Sequence, residues 1–275
     1  MAQLLLRGTA LAEVDAVLFD KDGTLCHSEP MLLALAQARI SAILALHDPE
    51  GTDPDGCAQL ELLLRRAYGL GEAGLHPAGT IAVAARDHNL ISSATALAQV
   101  GHGWPEAVSL SEEAFRRTDG LHGRGARRAP WPTDGLNALL STLSAAGVRC
   151  AVISNDHVAG IEAFLRDHGL RELFQALWSA EHIPRKPDPG AVVHLCADLG
   201  IPPRRCALIG DANSDLRMAE AAGVAAALGY RGGWSRGVSL DPRFPQLQHW
   251  RELALAPGGP VQDVPLTTSS GPGGR

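Results

Sequence analysis

Residues 14–24 read VDAVLFDKDGT: an apolar run, residues 14–19, stops abruptly at the acidic turn Asp20-Lys21-Asp22-Gly23. Short length and β-branched and aromatic content predict a buried strand. Beyond it the chain changes character. From Ser28, read as an N-cap with Pro30 in the first turn, to about Thr118, the sequence is rich in Ala and Leu. Its helical periodicity breaks at 48–56, 69–79 and 101–105, and no convincing strand interrupts it.

A linker rich in Gly, Arg and Pro (120–132) comes next, and then short apolar runs alternate with helices. We expect helix 134–146, strand 148–154, helix 157–168, a weaker strand 176–179, helix 189–199, strand 206–209, helix 214–222 and strand 224–228. Such alternation predicts a doubly wound parallel α/β sheet, begun by the first strand and resumed after Pro132, with an inserted α-helical domain. The expected division is a catalytic core of 1–27 and 131–256, a helical cap with its hinge at 28–130, and a disordered tail at 257–275, where Gly, Pro, Ser and Thr dominate.

The chain has 275 residues, 45% hydrophobic and 20% charged, with a net charge of −6. That acidity speaks against nucleic acid or an anionic membrane as partner. Five scattered cysteines without a C-x-x-C pair suggest a reducing compartment, with neither a disulfide framework nor a zinc site. The run Leu4-Leu5-Leu6 is too short for a signal peptide, and residues 31–46 carry Gln37, Arg39 and Ser41, which argues against a membrane span. The chain reads as a cytoplasmic protein, and nothing in it specifies an oligomeric state.

In an open α/β sheet ligands bind beyond the carboxyl ends of the strands. Here those ends carry Asp20-Lys21-Asp22-Gly23-Thr24, Ser154-Asn155-Asp156, Arg185-Lys186-Pro187-Asp188-Pro189 and Gly210-Asp211-Ala212-Asn213-Ser214-Asp215. The inventory suits phosphoryl transfer through a covalent aspartyl phosphate, which needs a carboxylate nucleophile, a hard cation such as Mg²⁺ and fixed donors for the phosphoryl oxygens. Asp20 is read as nucleophile and metal ligand. Asp22 is read as the acid and base, its side chain free and its main-chain carbonyl toward the metal. Ser154 and the amide of Asn155 would cradle phosphoryl oxygens, Lys186 would supply positive charge, and Asp211 and Asp215 would complete the metal site. Thr24 is read as a cap for the segment after the turn, and Asp188 as mainly structural.

The four motifs FDKDGT, ISN, RKPDP and GDANSD, in this order, resemble those of the haloacid dehalogenase (HAD) superfamily and specifically its phosphatases. The resemblance covers about residues 12–230 and implies a Rossmann-like core, a helical cap in the insertion and Mg²⁺-dependent hydrolysis of a phosphate monoester. Within the family the chain looks most like the phosphoglycolate phosphatase group, because RKPDPG and GDANSDLRMAEAAGV follow its pattern. Lys21 departs from that pattern, where an apolar residue is usual. The expected substrate is a small organic phosphate: phosphoglycolate-like, a sugar phosphate or a nucleotide. A phosphomutase, a dehalogenase or a weakly catalytic phosphate-binding protein on the same scaffold are the alternatives, and a phospho-accepting receiver module is a further one.

The lysines bear on this independently. The 24 basic residues include only two lysines, Lys21 and Lys186, and both fall in the motifs. A compact ammonium is not interchangeable with a guanidinium in a tight phosphate site, which gives Lys186 a reason to be exempt. Lys21 is read only as screening the acidic rim. Each motif alone is compatible with a surface turn or a helix cap; their convergence on one rim is what favours chemistry.

The linker arginines Arg116, Arg117, Arg124, Arg127 and Arg128 read as a solvated hinge, Cys26 as a small buried thiol, and Tyr68, His76, Arg86, His88 and Trp104 as candidates for specificity. Residues 233–237 (GWSRG) match a G-x-S-x-G elbow, but residues 229–233 read as loop and no helix is expected after them.

Overall fold

The computed structural model describes residues 2–124 and 129–257. The chain opens with β1 (Ala2–Leu6) and β2 (Thr9–Val14), then β3 (Ala16–Phe19), all four of whose residues are buried. Burial on both faces explains the unbroken apolar run of β3, because a central parallel strand is covered by helices above and below. Val17 and Phe19 join one core with Leu136, Leu140, Ile161 and Phe164, while Ala16 and Leu18 join another with Val192, Leu195 and Met218.

The helical insertion comes next: α1 (Glu29–His47), α2 (Pro54–Tyr68), a hairpin of β4 (Leu70–Gly71) and β5 (Gly74–Leu75), α3 (Thr80–Val83), α4 (Arg86–Gln99) and α5 (Trp104–Arg124). The hairpin departs from the helical expectation, two residues on each side, and α5 runs on to Arg124, into residues read as linker. The apolar helix α1 has the length and hydropathy of a membrane span, but it buries Leu32, Leu35, Ala36, Ile40 and Ile43 on one stripe in the core of the insertion. That core also holds Leu60, Leu64 and Tyr68 of α2 and Ala94 and Leu97 of α4.

The chain then returns through α6 (Leu136–Ala145), β6 (Arg149–Ile153), α7 (Val158–Asp167), β7 (Ala176–Trp178), α8 (Pro189–Asp198), β8 (Cys206–Gly210), α9 (Asn213–Ala221), β9 (Ala226–Tyr230), β10 (Gln246–Leu247) and β11 (Leu253–Pro257). Six strands form a parallel sheet in the order β10-β9-β8-β3-β6-β7, the α/β architecture expected.

Two features correct the sequence reading. Residues 4–6, weighed above only as a leader, belong to β1, which pairs antiparallel with β2 and β11 in a second sheet whose alternate residues Ala2, Leu4 and Leu6 are buried. Strand β9 runs on to Tyr230, into residues read as loop, and β10 adds an edge beyond it. The expected disordered tail lies outside the described residues except Pro257, which ends β11. Of the linker arginines, Arg116 and Arg117 sit on α5 and pair with Glu113, whereas Arg127, Arg128 and the side chain of Arg124 lie outside the described residues.

Candidate active site

The carboxyl ends of β3, β6 and β8 deliver Asp20, Ser154 and Asp211 to one rim, and the loop before α8 brings Lys186 to it. All four are buried, as is Asp215 in the first turn of α9. The ammonium of Lys186 bridges two carboxylates, lying 2.6 Å from Asp20 Oδ1 and 2.8 Å from Asp215 Oδ1, and it reaches the carbonyl of Ile153 at 3.4 Å. These partners push the Lys186 ammonium well above its usual range against the opposing effect of burial. Burial dominates at Asp20: it pushes the carboxyl up to about 6 although Lys186 pulls it down. Asp211 is raised too, first by burial and then by the negative charges of Asp20 and Asp215.

Asp20, Asp211 and Asp215 each offer an oxygen within 4.8 Å of the others. Three buried carboxylates that converge in this way, with one ammonium among them, form a hard-oxygen donor set that fits a small divalent cation such as Mg²⁺ and not a soft metal. Asp211 is oriented from two sides, by Thr24 Oγ1 at 3.2 Å and by the indole N–H of Trp234 at 2.5 Å. Thr24 therefore props a rim carboxylate instead of capping the segment after the turn. Its carbonyl accepts from Thr133 Oγ1 at 2.8 Å, and Trp250 donates in turn to Thr133.

Asp22 differs from the expectation of a free side chain. Its Oδ1 accepts from Lys21 Nζ at 2.7 Å and from Ser28 Oγ at 2.5 Å, with the Cys26 thiol 3.8 Å away. Burial raises its carboxyl, but the charge and hydrogen bonds of Lys21 and Ser28 outweigh it and the net shift is downward. Ser28 occupies the N-cap position of α1 but makes no cap hydrogen bond; its hydroxyl serves Asp22. Lys21, almost wholly buried, also pairs with Asp156 at 3.1 Å, so it organises the rim more than it screens it. Gly23 holds a left-handed φ of +81°, and a Cβ there would lie 2.1 Å from the Trp234 indole nitrogen, so the turn admits only glycine.

Ser154 Oγ accepts from the Asp156 amide at 3.1 Å. The side chain of Asn155 reaches the insertion, donating to the carbonyl of Val83 at 2.9 Å, while its buried Oδ1 has no partner among the described residues. Asp188 caps α8 by accepting from Gly190 at 2.7 Å, the structural task expected of it.

A cavity of about 880 Å³ separates rim and insertion. Of the specificity candidates it takes in Arg86 and His88 only. Tyr68 is buried in the core of the insertion with Ser93 2.6 Å from its hydroxyl, and Trp104 and His76 are exposed elsewhere. The cavity adds Arg39 and Asp119, which the sequence reading did not single out. A signal existed for Arg39: it continues the i, i+3, i+4 stripe of buried residues on α1, an unusual place for a charge. Trp234 lay inside the rejected elbow motif. Its loop serves the rim instead: Gly233 packs on Gly23, and its carbonyl lies 3.2 Å from His27 Nδ1.

A family model described as "Hydrolase: haloacid dehalogenase-like hydrolase" matches residues 14–223. The chain is 28% identical over 210 residues to N-acetylmuramic acid 6-phosphate phosphatase of Pseudomonas aeruginosa, covering 76% of this chain and 78% of the relative. It is 30% identical to phosphoglycolate phosphatase of Rhodospirillum rubrum, with 82% of each covered. Among solved structures, a predicted phosphoglycolate phosphatase from Haemophilus somnus 129PT superposes with a TM-score of 0.61 at 21% identity, over 85% of this chain and 93% of that one.

Proposed function

The chain belongs to the haloacid dehalogenase-like hydrolase family, and from that premise we propose that it is a phosphatase acting on a small organic phosphate monoester through an aspartyl phosphate on Asp20. The observation that carries this reading is the single ammonium of Lys186 bridging Asp20 and Asp215 beside Asp211, at the floor of a cavity closed by the insertion. The phosphatase names of the relatives support it.

In the proposed mechanism Asp20 attacks phosphorus with the oxygen not engaged by Lys186, and the bond to the leaving oxygen breaks in line. Asp22 is kept ionised by Lys21 and Ser28, whose hydrogen bonds both end on Oδ1, so its Oδ2 takes the proton that a monoanionic phosphate ester brings into the site and passes it to the leaving alkoxide. The same Oδ2 then takes a proton from water, which attacks the aspartyl phosphate, releases inorganic phosphate and regenerates Asp20. Ser154, the Asn155 amide and Lys186 hold the phosphoryl oxygens. Mg²⁺ held by Asp20, Asp211, Asp215 and the Asp22 carbonyl would neutralise phosphoryl charge. The insertion excludes water during the first step. We place the enzyme in the cytoplasm, in keeping with five cysteines that are all free thiols.

The test is phosphate release from p-nitrophenyl phosphate and from a panel of sugar and carboxylic acid phosphates, with Mg²⁺ and with EDTA. Metal-dependent release that falls by roughly 10⁴-fold or more in Asp20→Asn is the expected result. Retained activity in that variant would overturn the nucleophile assignment, and transfer to a second sugar hydroxyl in place of release would make the protein a mutase.

A further inference from the structure

Three helices of the insertion meet over the cavity with unequal charge. Arg39 of α1 is 95% buried yet lines the cavity, sits over the Phe115 ring at 3.9 Å and, among the described residues, forms an ion pair only with Asp119, at 3.6 Å. Its Nε has no partner among the described residues. A guanidinium carries five donors, and burying one so thinly satisfied is costly unless something else completes its shell. Arg86 of α4 places Nε and one terminal nitrogen 2.8 and 2.6 Å from the same oxygen of Asp119, on α5. Two guanidiniums thus share one carboxylate. Met31, Leu35 and Ile81 also line the cavity, and Arg39 is shielded from water, so its charge is poorly screened.

We propose, building on the phosphatase reading, that Arg39 and Arg86 form a second anion site, which binds a carboxylate or second phosphate on the end of the substrate remote from the rim. The substrate is then a dianionic-headed molecule with an anion at each end, and its body spans the space between rim and insertion. Asp119 acts as the resident counter-ion that holds both guanidiniums in place and gives way in part when the ligand arrives. Planar forks suit this task, because either anion can be bound by paired N–H donors.

The experiment is titration calorimetry of the Asp20→Asn protein with two matched pairs. Glycerol 3-phosphate against 3-phosphoglycerate adds a carboxylate, and glucose 6-phosphate against glucose 1,6-bisphosphate adds a phosphate. We expect the second member of at least one pair to bind roughly tenfold tighter or more, and the pair identifies the anion. Arg86→Gln, at a position about one-third exposed, should erase that preference and leave the first member within threefold, with a thermal melt as the check that the variant is folded. Asp119→Asn should tighten the doubly anionic ligand, an effect that a purely structural ion pair would not produce. Equal binding within both pairs, or an Arg86→Gln loss shared equally by both members, overturns the proposal. A binding preference in a protein whose wild type releases phosphate from nothing would support the anion site while rejecting the phosphatase reading.

Discussion

At the sheet edge the carboxylates of Asp20, Asp22, Asp156, Asp211 and Asp215 face two ammonium groups, whereas on the insertion the guanidiniums of Arg39 and Arg86 face the one carboxylate of Asp119. The imbalances have opposite sign across a single cavity. An excess of buried carboxylate is a seat for a cation, and an excess of guanidinium is a seat for an anion. The two cations also differ in kind: each lysine bridges two carboxylates as a point charge, while Arg39 spreads over an aromatic face. Fixed chemistry occupies the rim, and the adaptable contacts lie opposite.

The largest effect should come from Lys186→Met, which leaves Asp20 and Asp215 buried without their shared cation. We expect roughly 3 kcal/mol of lost stability in urea denaturation together with near-complete loss of phosphate release. Added Mg²⁺ should recover part of the stability, because it neutralises the same carboxylates. An unchanged midpoint would show that the rim does not depend on its ammonium. Lys21→Met should cost less, about 2 kcal/mol, because Asp156 is 31% exposed and water can replace part of what the lysine gives it. Its activity should drop more than its KM changes, since Asp22 loses its anchor while the phosphate donors stay.

Trp234→Phe keeps the ring and removes the indole N–H from Asp211. Partners of metal-ligating groups typically affect metal affinity by one to two orders of magnitude, so the Mg²⁺ concentration for half-maximal activity should rise roughly tenfold. Trp234 also packs in the core of the insertion, so a thermal melt without metal is the control. A changed melt with unchanged Mg²⁺ dependence would make the residue structural only.

The same contrast explains what could be read in advance. The rim was legible because each strand end projects its side chains locally: Asp20 with Thr24, and Asp211 with Asp215, stand within five residues of one another on turns that glycine and the sheet dictate. The anion site was not. Arg39, Arg86 and Asp119 lie far apart on three helices and meet only through the tertiary packing of the insertion. Ser28 was visible as a helix start, but its choice between the helix and Asp22 depends on where the preceding turn places that carboxylate. The second sheet escaped because β1 pairs with β11, some 250 residues away, and the alternation of Ala2, Leu4 and Leu6 is too brief to mark a strand alone.

The smallest expected effect concerns the ion pair that ties the insertion to the rim, between Asp87 of α4 and Arg185 beside Lys186. Both side chains are more than two-fifths exposed, so the pair contributes only about 0.5 kcal/mol. Burial alone would raise the Asp87 carboxyl, but the hydrogen bond and charge of Arg185 hold it below its ordinary value of 3.8. A carboxyl depressed on folding contributes stability that is fully present above its unfolded value and disappears as pH falls through the folded one. Asp87→Asn should therefore cost a few tenths of a kcal/mol at pH 6, and that cost should shrink as the pH falls below 3.8 and vanish once the folded wild-type carboxyl is itself neutral. Denaturation of both proteins across that range isolates the pair, because every other titrating group is common to them. An equal cost at both ends would assign the effect to charge-independent packing and hydrogen bonding of the Asp87 side chain in the first turn of α4, and the insertion would then be held to the rim by Asn155 and Val83 without help from charge.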